Sequence, residues 1–405
     1  MKTTLIFEKL VKYYFLSFVV SYFLTYPLRV LTKNPDISFT NYVVVFFVFI
    51  LLTMRILFMH VFSIKKSKKT IVFVVLSLLS IIILYYINST ILYSNEIVLH
   101  YTFIKYISFS TVLVSFLLFQ KIKFSYKDTR MIKVLFFILS LSTFIGTFLN
   151  SILWQIPYGV EINEKYIVGI FLRAGAGYLD PNFLAMNIVI LFFLNFLFIP
   201  NKSIIKLINL LMLASAIFFT FSRGSWIFFA LLFFIYIYKE KKITITRAKI
   251  FKFVILLFIF LVILVSIGDF YIDFNSILRR FSDEEGMSSV NDRFYQYYSA
   301  LNYFYSNLDF SSLILGFGGA DIFKNLYGVH LHNFFLGSIL DTGFLGVLII
   351  IFLWIYFFIT SNNVITKYLL IYWFLQANTL PNMPDSLFLI FIISLVSIRQ
   401  RSQLI

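Results

Sequence analysis

The sequence predicts an all-α membrane protein with about twelve transmembrane helices, and three observations carry that expectation. Sixty per cent of its 405 residues are hydrophobic and only 13% are charged, whereas a soluble domain is roughly half apolar and a quarter charged. Apolar runs of about eighteen residues or more recur along the whole chain, each long enough to cross a hydrocarbon core about 30 Å thick. The charges are also sorted. Most of the 34 Lys and Arg fall in the terminal segments and alternate loops, and most of the 18 Asp and Glu fall in the others.

The expected spans, in order, are 13–31, 42–62, 70–88, 98–120, 132–154, 183–200, 204–221, 225–238, 251–268, 333–358, 368–379 and 386–398. The first follows Lys2, Lys9 and Lys12 but lacks a small-residue cleavage site, so it reads as an uncleaved helix rather than a signal peptide. Basic clusters at Lys65–Lys69, Lys121–Lys133 and Lys239–Lys252 place both termini in the cytoplasm by the positive-inside rule. The net charge of +16 therefore reflects topology, and nucleic acid is not an expected partner. The absence of cysteine excludes disulfides, thiolate metal sites and cysteine nucleophiles.

One transmembrane domain is expected over 1–405, with two long outward segments, 155–182 and 269–332. In the second, Ser289-Val290-Asn291-Asp292 can cap a helix running toward Ser306. Val290, Phe294, Tyr298, Leu301 and Tyr305 recur there at helical spacing. That stripe suits the membrane interface, where aromatic rings keep one edge dry and one wet. Its bland alternative is a structural lid on the bundle. Gly316-Phe317-Gly318-Gly319 marks a tight turn.

Soluble-enzyme motifs do not account for the chain. It has no GxxxxGK[ST], no HExxH and no GxSxG, and SxxK at Ser63 and Ser203 falls in basic loops without the partner motifs. Attention moves to outward arginines. Arg173 lies in Arg173-Ala174-Gly175-Ala176-Gly177, whose glycines permit close backbone packing, ahead of the stop and helix cap Asp180-Pro181-Asn182. Arg223 lies in the short turn Ser222-Arg223-Gly224-Ser225-Trp226, and Arg293 in the first turn of the loop helix. A guanidinium offers a permanently charged fork for phosphate oxygens; singly, each arginine serves equally well as an interfacial anchor. His332 and Asn333 stand just ahead of the tenth span. Within spans, Arg55 is expected to snorkel, while Lys105 and Asp341 lie at matched depth and suggest an ion pair. On a regular helix Asp341 would project away from His332.

His332-Asn333, nine residues, then Gly343-Phe344-Leu345-Gly346 resembles the signature of the O-antigen polymerase and O-antigen ligase superfamily. The Ser-Arg-Gly turn, the Arg-Ala-Gly…Asp-Pro-Asn stretch, Asp292-Arg293-Phe294 and the Gly-Phe-Gly turn resemble its other landmarks, in order, over roughly 165–350. The resemblance implies a helical bundle akin to GT-C glycosyltransferases, with the large extracytoplasmic loop between helices 9 and 10. It implies a metal-independent, inverting transfer without a cofactor, on the outer face of a bacterial inner membrane. Implied partners are an undecaprenyl-diphosphate-linked oligosaccharide and membrane lipids, with a chain-length regulator and a flippase alongside. Arg223 and Arg293 would hold the diphosphate and His332 would deprotonate the acceptor. Arg173, Asp180, Asn182 and Asn333 would complete the substrate site. The Asp-Pro-Asn stretch leans toward a repeat-unit polymerase of O-antigen or capsule. The alternatives are a ligase acting on lipid A–core and a twelve-helix flippase or transporter. Against the last, polar landmarks gather on the outward side rather than at the midplane.

Overall fold

The computed structural model describes residues 2–35, 126–162, 166–168, 171–199, 203–239, 284–317, 322–329, 331–361 and 364–378. The expected spans 42–62, 70–88, 98–120, 251–268 and 386–398, with Arg55, Lys105, Gly318 and Gly319, lie outside the described residues. The described part is mostly helical. In order it comprises α1 (Lys2–Thr32), α2 (Tyr126–Ser151), a strand pair, α3 (Pro181–Phe198), α4 (Ile204–Phe219) and α5 (Arg223–Lys239). Then follow α6 (Glu284–Ser306), α7 (Phe310–Leu315), α8 (Ile322–Tyr327), α9 (Phe334–Thr360) and α10 (Val364–Ala377).

Among the described residues, three helices are long and apolar enough to cross a bilayer: Phe15–Thr32, Arg130–Ser151 and Pro181–Phe198. The bent pair Phe334–Leu348 and Ile350–Ile359 makes a fourth if it is one span. Ile204–Phe219 and Val364–Ala377 are shorter apolar helices. The chain is a helical membrane protein. Its residues cluster into two compact units, one of Met1–Tyr22, Ser38–Phe124 and Asn291–Ile405, the other of Phe23–Ile37 and Ser125–Val290.

In the second unit, α3 is buried along nearly its whole length, from Leu184 to Asn195. A helix apolar on every side is what a bundle core requires. Lipid tails are as apolar as Leu, so helices in a membrane are held by close packing and interhelical hydrogen bonds. Both occur here. Phe192 meets Phe229 edge-on at 4.8 Å and Phe233 at 5.7 Å. Asn209 donates from α4 to Asn195 Oδ1 at 2.7 Å. The buried Lys206 ammonium donates to the Ile199 and Phe196 carbonyls at 3.1 and 3.4 Å. That cation satisfies carbonyls which the end of α3 would otherwise leave orphaned.

Residues 155–182 contain two elements that apolar patterning does not announce, β1 (Ile167–Val168) and β2 (Phe171–Leu172), paired antiparallel. At two residues each, the strands are too short for an alternating pattern to register.

The helix α6 begins at Glu284, not near Ser289, so Ser289–Asp292 lie within the helix and do not cap it. The expected aromatic stripe faces outward: Phe294 is 66% exposed, Tyr298 65% and Tyr305 71%. The helix instead buries Ala300 and Phe304 in a cluster with Phe323, Leu331 and Leu340, and Tyr297 packs against it.

The tenth expected span is kinked. Gly343, inside α9, has φ +66, a left-handed value that glycine adopts without penalty. The break admits Gly316, itself at φ +75: a Cβ there would lie 2.5 Å from Gly343 N and 2.6 Å from the Asp341 carbonyl carbon. Phe317 N–H then donates to the Leu340 carbonyl at 2.8 Å, serving an acceptor next to the break. The regular-helix geometry expected between His332 and Asp341 does not hold. His332 precedes the cap of α9 in non-helical backbone, and Asp341 is buried two residues before the kink.

Candidate functional site

The second unit builds its polar cluster on a buried amide. Asn150, near the end of α2, is fully buried. Its Oδ1 accepts from Gly175 N–H at 2.7 Å and from the Tyr26 hydroxyl at 3.2 Å. Its Nδ2 donates to the Gln155 and Ala176 carbonyls at 2.8 and 3.4 Å. Four bonds from one side chain fix the Arg-Ala-Gly loop, in which Gly175 and Gly177 take φ +108 and +84. Irregular backbone at this depth is tolerated when it is buried in protein, and Ala174 and Ala176 are.

On that loop, Arg173 Nε donates to the Thr220 carbonyl at 3.3 Å and its guanidinium reaches Asn182 Oδ1 at 3.4 Å. The Ser222 hydroxyl lies 2.8 Å from the same Asn182 oxygen and 2.9 Å from Ser225 Oγ. Ala174 N–H donates to the Phe219 carbonyl at 2.9 Å. Asp180 is the cap expected of it, accepting Asn182 N–H at 2.7 Å at the start of α3. The structure thus brings Arg173 and Asn182 to the Ser-Arg-Gly turn, while Asp180 holds the start of α3. Burial pushes the Tyr166 hydroxyl above its ordinary value, and the Asp180 carboxylate adds to this. The Arg173 guanidinium pulls it back. Burial likewise holds the Tyr178 hydroxyl protonated, at about 12.

The connection from α4 to α5 is three residues, Thr220, Phe221 and Ser222, with Phe221 at φ +47. Trp226 stacks on Phe218 at 5.1 Å and 4°, and its indole N–H donates to the Ile217 carbonyl at 3.0 Å. Half-buried Arg223 is the first residue of α5, at the end of the helix whose dipole favours anions. Ser222→Ala removes two hydroxyl contacts in a buried setting. It is expected to cost about 1–2 kcal/mol of stability, readable as a lowered melting temperature in detergent; an unchanged melt would deny the hydroxyl that role.

The first unit holds the other candidates. Arg293, Gln296 and Tyr297 lie on the less exposed side of α6, and Gln296 and Tyr297 reach the loop that carries His332. His332 N–H donates to Gln296 Oε1 at 3.2 Å, and the Tyr297 hydroxyl donates to the His332 carbonyl at 2.8 Å. The His332 ring nitrogen Nδ1 is shielded from solvent. Asn333 caps α9, accepting Leu336 N–H at 3.0 Å. Burial raises the Tyr297 hydroxyl, while the Arg293 guanidinium and a hydrogen bond from Asn333 lower it. Arg293, Tyr297, His332 and Asn333 therefore form one cluster. Tyr297 and Gln296 were not singled out in the sequence, although both follow Arg293 at helical spacing.

Residues 207–351 match the family model described as O-antigen ligase. Over these residues the chain is similar to the O-antigen polymerase and ligase superfamily. No curated protein and no solved structure matches the chain. The matched stretch begins within α4, takes in the Ser-Arg-Gly turn and the loop helix, and ends within α9. It contains Arg223, Arg293, His332 and the paired glycines 316 and 343. Arg173, Asp180 and Asn182 precede it in sequence, yet Arg173 and Asn182 bond to residues inside it.

Proposed function

We propose that the protein is a metal-independent, inverting glycosyltransferase that polymerises lipid-linked repeat units on the outer face of a bacterial inner membrane. The observation that carries this reading is the O-antigen ligase match, which spans all three residues expected to do the chemistry. In the proposed reaction the acceptor hydroxyl oxygen attacks the anomeric carbon of an undecaprenyl-diphosphate-linked glycan. The bond from that carbon to the diphosphate oxygen breaks, and its electron pair leaves with the diphosphate. His332 takes the hydroxyl proton, as a group whose charge changes near neutral pH is suited to do. Arg223 and Arg293 stabilise the charge that builds on the leaving oxygen. Arg173, held with Asn182 and Ser222, supports the donor side. The exposed aromatic stripe of α6 rests at the membrane interface, and about twelve spans place both termini in the cytoplasm.

A ligase that delivers the finished chain to lipid A–core is the second reading, favoured by the description of the matched family. The experiment supplies the purified protein with a defined lipid-diphosphate repeat unit, alone and then with lipid A–core, in the presence of a chelator. A ladder from the repeat unit alone is the expected result. Arg223→Ala and Arg293→Ala should each lower turnover about 10²–10³-fold, as loss of a charge-stabilising donor does, and His332→Ala should remove it. Lysine should not restore either arginine, because the bidentate fork is lost. Transfer only when lipid A–core is present would make the protein a ligase. No transfer in either arm would reject both.

A further inference from the structure

Both polar atoms of the His332 backbone are held by the loop helix. Gln296 accepts its N–H and Tyr297 donates to its carbonyl, at 3.2 and 2.8 Å. The Tyr297 hydroxyl also lies 3.2 Å from the Asn378 carbonyl, just past the end of α10. The loop helix, the residues leading into α9 and the end of α10 therefore meet at one oxygen. Asn333 commits its Oδ1 to Leu336 N–H, which leaves its amide nitrogen for the Tyr297 hydroxyl. A residue whose N–H and C=O are both fixed cannot rotate its peptide planes, so the direction of its Cα–Cβ bond is fixed as well.

The same turn of α6 carries a charge. Arg293 stands four residues before Tyr297, one turn away on the same face, close enough for its guanidinium to act on the Tyr297 hydroxyl. Tyr297 itself is half-buried against the apolar cluster that contains Ala300 and Phe304, so the hydroxyl is placed by packing as well as by its bonds. The helix beneath is continuous from Glu284 to Ser306, so Arg293, Gln296 and Tyr297 move as one body.

We propose that Gln296 and Tyr297 are positioning residues which hold His332 in register with Arg293, so that the proton acceptor is tied to the helical turn that carries the leaving-group cation. This rests on the reading of His332 and Arg293 given above. Neither positioning residue touches the reacting atoms. Their effect is on how often the imidazole points productively, which is a matter of turnover rather than of affinity.

Tyr297→Phe keeps the ring and removes one hydroxyl. Since a misplacement of about 1 Å can cost a hundredfold, kcat is expected to fall between about tenfold and a hundredfold, with KM for donor and acceptor within about twofold. Gln296→Leu should act in the same direction. Phe304→Leu is the comparison, because it loosens the same apolar cluster and leaves both bonds to His332 in place. Melting temperatures are measured for all four proteins, wild type included. A fall in kcat for Tyr297→Phe no larger than that for Phe304→Leu would overturn the proposal, as would a rise in KM with kcat unchanged. His332→Ala separates the two layers. If it keeps wild-type turnover, the assignment of His332 fails and the positioning role with it. If it is inactive while Tyr297→Phe turns over normally, only the positioning role fails.

Discussion

Gly343→Val is expected to prevent the protein from accumulating in a folded state. At φ +66 and ψ −173 a side chain is strained wherever it points, at about 1–3 kcal/mol for a backbone region that is essentially reserved for glycine. The larger cost is spatial. A Cβ at Gly343 would run into the Ile314 carbonyl and come within 2.5 Å of Gly316 N. These are backbone atoms, so no change of rotamer removes the overlap. The total should exceed about 4 kcal/mol, a size reserved for a few mechanisms of which strain at a special φ/ψ is one. Gly316→Val should behave alike, because its own Cβ would meet the Asp341 to Gly343 backbone. Gly337→Ala provides the contrast: nothing lies within 4 Å of a Cβ there, and alanine is the better helix former by about 1 kcal/mol. Size-exclusion profiles and thermal melts in detergent would read the series. A Gly343→Val protein that melts with wild type would mean that the kink is not as described.

Asn150→Leu is expected to be the most damaging side-chain replacement in the second unit. It leaves Gly175 N–H, the Tyr26 hydroxyl and the Gln155 and Ala176 carbonyls without their partner. Each buried group so stranded costs about 1–3 kcal/mol, and the sum is not additive, so a loss of about 3–5 kcal/mol is expected. Asn150→Asp separates the two halves of the amide. It keeps an acceptor for Gly175 and Tyr26 and gives up both donors, so its melting temperature should fall between leucine and wild type. Because the Arg-Ala-Gly loop hangs from these bonds, transfer should weaken in the same order. Equal melts for asparagine and leucine would show that the loop is fixed by something else.

What was legible in the sequence follows from what a membrane demands. Apolar runs at 183–200, 204–221 and 225–238 fold as helices Pro181–Phe198, Ile204–Phe219 and Arg223–Lys239, and the first of them is long and apolar enough to cross a bilayer. Asp180 was legible as a cap because aspartate before proline has few other uses there. The segments 155–182 and 269–332 were less so. The start of α6 was placed too late since Ser289, Asn291 and Asp292 favour caps without being obliged to form one, and an acidic pair upstream offered a second start. Gly343 gave no warning of a kink, since an isolated glycine in an apolar run is tolerated in a helix. Only Gly316, in another element, shows why the break is there. Tyr297 was hidden among many tyrosines; what distinguishes it is the carbonyl it reaches, and that partner is distant in sequence.

The contact between Gly316 and Gly343 has a consequence for what can be repaired in this fold. Two backbones lie there where side chains would otherwise be. A side chain added at one glycine cannot be offset by trimming the other, because the other has no side chain left to remove. Damage at either position therefore has no compensating partner across the contact.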